Sequence, residues 1–198
     1  MNPYRYPKTV HRRRHDPAGY SDVESFRPWL RDEFSFRCVY CLEREAWSNL
    51  AASFEIDHFQ PASLHPDKSL DYENLLYSCR ACNAVKRQLR VPNPLKVLLS
   101  ESVIVNEVGQ LEVRNREARR LIELMDLNRP AYSERRRFIL RMVRTAERHD
   151  RLLYRMLLGF PNDLPDLTRL RPASNSKPKG IEQSFHARRS RRVLPEIY

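Results

Sequence analysis

The sequence predicts a small α+β fold: a strand–strand–helix core stapled by metal, then a hairpin and a helical extension. Three observations predict it. All four cysteines fall in two pairs of one spacing, Cys38-Val39-Tyr40-Cys41 and Cys79-Arg80-Ala81-Cys82. Two short strand-like segments run between the pairs, and a helical pattern starts at the second pair. In a chain whose thiols stay reduced, two such knuckles offer four sulfurs at the corners of a tetrahedron, the geometry of a closed structural Zn²⁺ site. Four unrelated core thiols, or a redox pair, would not explain why no cysteine is left over.

Composition sets the class. The 198 residues suit one catalytic domain with modest extensions. At 41% apolar, 31% charged and four glycines, the chain can form a core and is neither fibrous nor membrane-embedded. A formal net charge of +11 implies a polyanionic partner, most simply nucleic acid. No apolar run approaches the roughly 18 residues of a membrane span, and residues 1–15 lack the apolar stretch of a secretory signal. No membrane partner and a cytoplasmic location are therefore expected.

The elements follow in order. Residues 1–20 read as a basic arm, with Arg12, Arg13 and Arg14 ahead of the turn-former Asp16-Pro17-Ala18-Gly19. The core is placed at 21–95. Ser21 and Glu24 fit a capping box, while Pro28 suits a later helix start; Phe26, Trp29, Leu30 and Phe34 supply the apolar face. Ser53 to Phe59 alternates as a strand, and Pro61 helps to end it. Residues 60–73 are loop, Leu75-Leu76-Tyr77 is the second strand, and a helix from about Arg80 must stop before Pro92. In the extension, 96–165, Val103 to Val105 and Leu111 to Val113 flank a turn with Gly109. One helix passes through Leu121, Leu124 and Met125. A longer one, from about Ala131 to Leu158, has Phe138, Ile139, Met142, Val143, Leu152, Leu153 and Met156 spaced for burial. The basic tail, 166–198, is expected to stay disordered until bound.

The chemistry concentrates between Cys38 and Arg90. Its features are Asp57-His58 at a strand end, Asn74 before the second strand, and Asn83 just past the last cysteine. Hydrolysing a phosphodiester needs a water, a base for its proton, and positive charge on the phosphate. His58 suits the base, because an imidazole titrates near working pH. Asp57 and Asn83 offer hard oxygens that suit Mg²⁺ or Mn²⁺. On a continuous helix Asn83, Lys86, Arg87 and Arg90 share one face, which would meet a phosphate backbone, with Ala81, Val85 and Leu89 buried opposite. A solvated charged face is the plainer alternative.

This segment, Ile56-Asp57-His58-Phe59-Gln60-Pro61, then Glu73-Asn74-Leu75-Leu76, then Cys79-Arg80-Ala81-Cys82-Asn83-Ala84-Val85-Lys86, resembles the HNH endonucleases. The resemblance covers about a quarter of the chain and implies a treble-clef-like ββα-metal fold. It also implies roles: Asp57 and Asn83 hold the catalytic cation, His58 activates water, and Asn74 braces the loop and orients the base. Where the family often has His, this sequence has Asn83, which shifts the expected metal toward Mg²⁺. DNA is the implied substrate ahead of RNA, with 5′-phosphate and 3′-hydroxyl products. The stretch Leu121 to Pro130 looks like stand-alone bacterial HNH proteins of phage defence, which implies a partner ATPase.

Other residues have plainer readings. His65 could touch substrate or metal but reads first as an exposed loop histidine; Glu55, which shares strand parity with Asp57, could assist metal binding but reads first as an exposed strand position. Tyr40, Tyr72 and Tyr77 could stack on bases or pack around the zinc. The arginine face of the long helix (Arg135, Arg137, Arg141, Arg144, Arg148) could follow phosphates, stay solvated or dock on protein. Two other functions fit the same knuckles: a non-catalytic zinc module that binds nucleic acid, and a structural subunit of a defence complex.

Overall fold

The computed structural model describes residues 2–47, 53–170, 172 and 175–198. Its first helix, α1, spans Arg27–Glu33, with Pro28 in the first turn and a 3₁₀ turn, Glu24–Phe26, just before it. The later of the two predicted starts is the observed one, and Asp22, not Ser21, caps the backbone N–H of Ser25. Trp29 and Leu30 are buried, as their spacing predicts.

The core is β1 (Phe54–His58), β2 (Leu75–Cys79) and α2 (Arg80–Lys86). The strands pair antiparallel, with Asp57 opposite Leu76 and His58 opposite Leu75. Helix α2 stops well before Pro92, because Arg87 turns the chain out with φ +42°, a region seldom entered by residues with a side chain. The single cationic face from Asn83 to Arg90 therefore does not form. The expected stripe is overturned as well: Cys82 and Lys86 point inward, while Ala81 and Leu89 are exposed.

After the short α3 (Pro94–Val97), the hairpin forms as predicted from β3 (Val103–Val105) and β4 (Leu111–Val113). Gly109 has φ +81°, and a Cβ there would lie 2.1 Å from the Ser133 carbonyl, so only glycine fits. Helix α4 covers Arg116–Leu124. The predicted long helix is two, α5 (Pro130–His149) and α6 (Arg151–Leu158), because Asp150 leaves helical geometry and caps the Leu153 N–H. Two helices bury two different faces. Ile139 and Val143 enter the core, whereas Phe138, Leu152 and Met156 are 54%, 69% and 66% exposed, contrary to their predicted burial.

The expectation of a disordered tail is overturned too. Its residues Arg171, Ala173 and Ser174 lie outside the described residues; the rest folds back and ends with α7 (Phe185–Ser190). Phe185 packs with Phe36 and Leu164, and Phe160 and Tyr198 join the cluster. These few aromatics are enough to hold a segment that is otherwise polar. The basic arm is anchored as well, with Tyr4, Tyr6 and His15 buried.

Both ends converge on the last turn of α1. Asp32 accepts hydrogen bonds from His15 Nε2 (2.9 Å) and from the Phe185 N–H (2.8 Å). Glu33 accepts from His11 Nε2 (2.7 Å) and from the N–H groups of Arg14 and His15. Burial alone would raise the Glu33 carboxyl, but the His11 and Arg14 bonds outweigh it and bring the pKa from 4.5 down to about 2. A depressed carboxylate stabilises the fold above its unfolded pKa and loses that contribution as pH falls through the folded value. Stability of about 3 kcal/mol should therefore disappear between pH 4.5 and 2. Thermal melts at pH 6 and pH 2 should show the loss, and Glu33→Gln should shrink the difference between them.

Candidate metal and catalytic site

Cys38 and Cys41 lie in the turn before β1, Cys79 ends β2, and Cys82 sits in the first turn of α2. The four sulfurs all fall within 4.8 Å of one another, and those of Cys41 and Cys79 are 3.7 Å apart. Zinc–sulfur bonds of about 2.3 Å place tetrahedral sulfurs about 3.8 Å apart, so the spacing fits that ion. All four cysteines are buried. Hydrogen bonding within the cluster pushes the Cys41 and Cys82 thiols well up and, against the burial that would raise it, the Cys38 thiol well down, so one sulfur is poised as a thiolate with protonated neighbours. Zinc takes thiolates, so its binding here would release protons and weaken as pH is lowered.

The knuckle reaches the catalytic candidates through Tyr40, the third residue of the first pair. Tyr40 is fully buried and donates its hydroxyl to Asp57 Oδ2 at 2.6 Å. It does not face a base, and neither do Tyr72 and Tyr77, which are buried and donate to Glu33 and Glu45. Lys86 holds the other carboxylate oxygen, with Nζ 3.1 Å from Asp57 Oδ1 and 2.7 Å from the His58 carbonyl. This corrects the phosphate-facing expectation for Lys86: its side chain is wholly buried beside Asp57. Arg87 and Arg90 remain exposed, but they lie beyond the helix. Burial pushes the Asp57 carboxyl up, and the Lys86 charge, then the Tyr40 hydrogen bond, pull against it.

Strand parity and helical spacing make a two-rung ladder. Glu55 and Asp57, two apart on β1, meet Asn83 and Lys86, three apart on α2. Glu55 Oε2 accepts from Asn83 Nδ2 at 2.7 Å, and its Oε1 accepts from Arg80 Nε at 3.0 Å. Glu55 is thus not the plain exposed strand position its place in the sequence first suggests, and its parity with Asp57 is the signal that brings it to the site. Its hold on the amide nitrogen leaves Oδ1 as the Asn83 atom free to meet a cation.

His58, of opposite parity, turns to the loop, where Nε2 lies 2.9 Å from the Ser69 carbonyl. Asn74 fixes that loop. Its Nδ2 donates to the carbonyls of Gln60 and Lys68, and its Oδ1 accepts from the Gln60 N–H. The Lys68 carbonyl that Asn74 holds is one residue ahead of the Ser69 carbonyl that meets His58. His65 is half-buried in the same loop.

The HNH endonuclease family model matches residues 38–88, the stretch that holds both knuckles, both core strands and α2. The chain thus carries an HNH endonuclease domain, a class that acts on nucleic acid with divalent metal. No curated protein matches the chain. Among the described residues, no helix is long and apolar enough to cross a membrane.

Two outcomes follow from this geometry. Purified protein should carry one zinc per chain by elemental analysis, and Cys79→Ser should lose both the metal and the cooperative melt. Lys86→Met would leave a buried carboxylate without its counter-charge, a loss of about 3–5 kcal/mol. Urea unfolding of the two proteins would measure it.

Proposed function

We propose that this protein is a metal-dependent endonuclease that hydrolyses phosphodiester bonds in nucleic acid, with DNA favoured on the family resemblance. His58 is the general base, and Asp57 with Asn83 are the protein ligands of one Mg²⁺ or Mn²⁺. The observation that carries the reading is the bond from His58 to the Ser69 carbonyl. A carbonyl can only accept, so the ring proton sits on Nε2 and Nδ1 keeps a lone pair able to take a proton from water. Asn74 keeps the loop from drifting and so keeps the ring aimed.

The ligand set also fits a hard cation. Asp57 accepts one donor at each oxygen and so retains a lone pair on each. Asn83 is held through its nitrogen, so its oxygen is available. Two protein oxygens with the remaining positions left to water suit Mg²⁺. When bound, such an ion would polarise the phosphate and stabilise the leaving oxygen. Tyr40 and Lys86 hold the Asp57 carboxylate in one orientation, and Lys86 counters the burial that favours its protonated form.

Incubating supercoiled plasmid and RNA with wild-type and His58→Ala protein, with Mg²⁺ or with EDTA, tests the reading. Wild type should cut only with metal, and the variant should cut about 10²–10⁴-fold more slowly while still binding DNA. Equal, metal-dependent cutting by both proteins would reject His58 as the base. Binding without cutting by either would favour the non-catalytic zinc module.

A further inference from the structure

The run Arg135-Arg136-Arg137 near the start of α5 splits into separate jobs in the fold. Arg135 turns to Glu43 and to the Trp47 carbonyl. Arg136 is buried and donates to the carbonyls of Gly109 and Leu127. Arg137 alone faces out, and it begins a row: Arg137, Arg141, Arg144 and Arg148 are all exposed and stand at i, i+4, i+7 and i+11, on one side of the helix. With Glu107 and His149 they line a groove of about 410 Å³. Glu107 pairs with Arg144, and Glu147 stands beside Arg148. Arg137 and Arg141 have no ion pair among the described residues. Phe138, beside Arg141, adds an aromatic ring that packing leaves 54% exposed.

We propose that this outer face of α5 is a second docking strip, taking the sugar–phosphate backbone of the nucleic acid that the candidate site would cut. The proposal rests on the nucleic-acid reading above and names a contact outside the 38–88 domain. Charge selects the occupant: among the described residues, four guanidiniums in a line meet one acid in an ion pair, on a chain of net charge +11. A backbone supplies repeated negative charge, and guanidinium forks match phosphate oxygens. Spacing agrees. At 1.5 Å per residue the row spans about 16 Å, or about five base pairs at 3.4 Å each. The strip is also fixed relative to the knuckles, because the Tyr132 hydroxyl at the start of α5 lies 3.7 Å from Cys82 Sγ and Arg135 pairs with Glu43. The row itself lies on the side of α5 opposite Tyr132 and Arg135, so it would hold the backbone beyond the HNH domain rather than over the sulfurs.

The test compares two triple variants of equal charge in the full chain carrying His58→Ala. One is Arg137→Gln/Arg141→Gln/Arg148→Gln on the strip; the other is Arg116→Gln/Arg119→Gln/Arg120→Gln on the exposed side of α4. Binding to a 30-base-pair duplex is followed by fluorescence anisotropy across a salt series. Loss of three phosphate contacts should flatten the slope of log K against log salt by about 2.7, with the α4 variant close to the parent. With His58 restored, the strip variant should raise KM for long duplex and leave kcat unchanged. Equal flattening by both triples, or none by either, would overturn the strip. Because the binding readout needs no catalysis, a chain that binds through α5 yet never cuts would count against the nuclease reading alone.

Discussion

The four sulfurs are the contact on which the remaining structure depends. A strand–strand–helix unit of this size encloses too little apolar volume to hold itself rigid. The knuckles tie the turn before β1 to the first turn of α2 and so fix the ends of the unit. The same tie passes outward in two directions. Tyr40 connects it to Asp57, and its own carbonyl accepts from Tyr6 of the N-terminal arm. Tyr132 connects it to α5. An ion at the sulfurs would therefore set the position of a carboxylate it never touches.

Between β1 and α2, two polar rungs stand where two apolar contacts would stabilise as much or more. Burying an ammonium beside a carboxylate is expensive, and pairing roughly offsets the desolvation. What the pairs provide is definition: Lys86 fixes Asp57, and Glu55 fixes which end of the Asn83 amide is free. A core of leucines could hold the helix against the strand, but it could not hold two oxygens in place.

Much of the core was readable from residue order. Cysteine spacing, period-two alternation at Phe54 to His58 and the turn at Gly109 each map local chemistry onto local geometry, and the structure follows them. Long-range partners were not readable. That Lys86 points inward depends on Asp57 lying across from it, and helical spacing alone could not choose between that carboxylate and solvent. The early end of α2 has no marker, since Arg87 is neither glycine nor asparagine. Asp150 did carry a signal, being a residue that favours helix starts, but the apolar pattern running across it masked the break. For the tail, sparse aromatics inside a polar sequence found partners in Phe36 and Phe160, and composition averages them away.

The buried acids at the end of α1 also bear on the order of events during synthesis. Asp32 takes the backbone N–H of Phe185, a group made 153 residues later. A ribosome-bound chain that already contains both knuckles would still lack that donor, together with the aromatic cover that α7 brings to Phe36. Metal could close the central unit once Cys82 is made, but the helix beside it cannot reach its final surroundings until Phe185 is made. The sulfur cluster is complete by residue 82, whereas the surroundings of α1 draw on residues as late as Phe185.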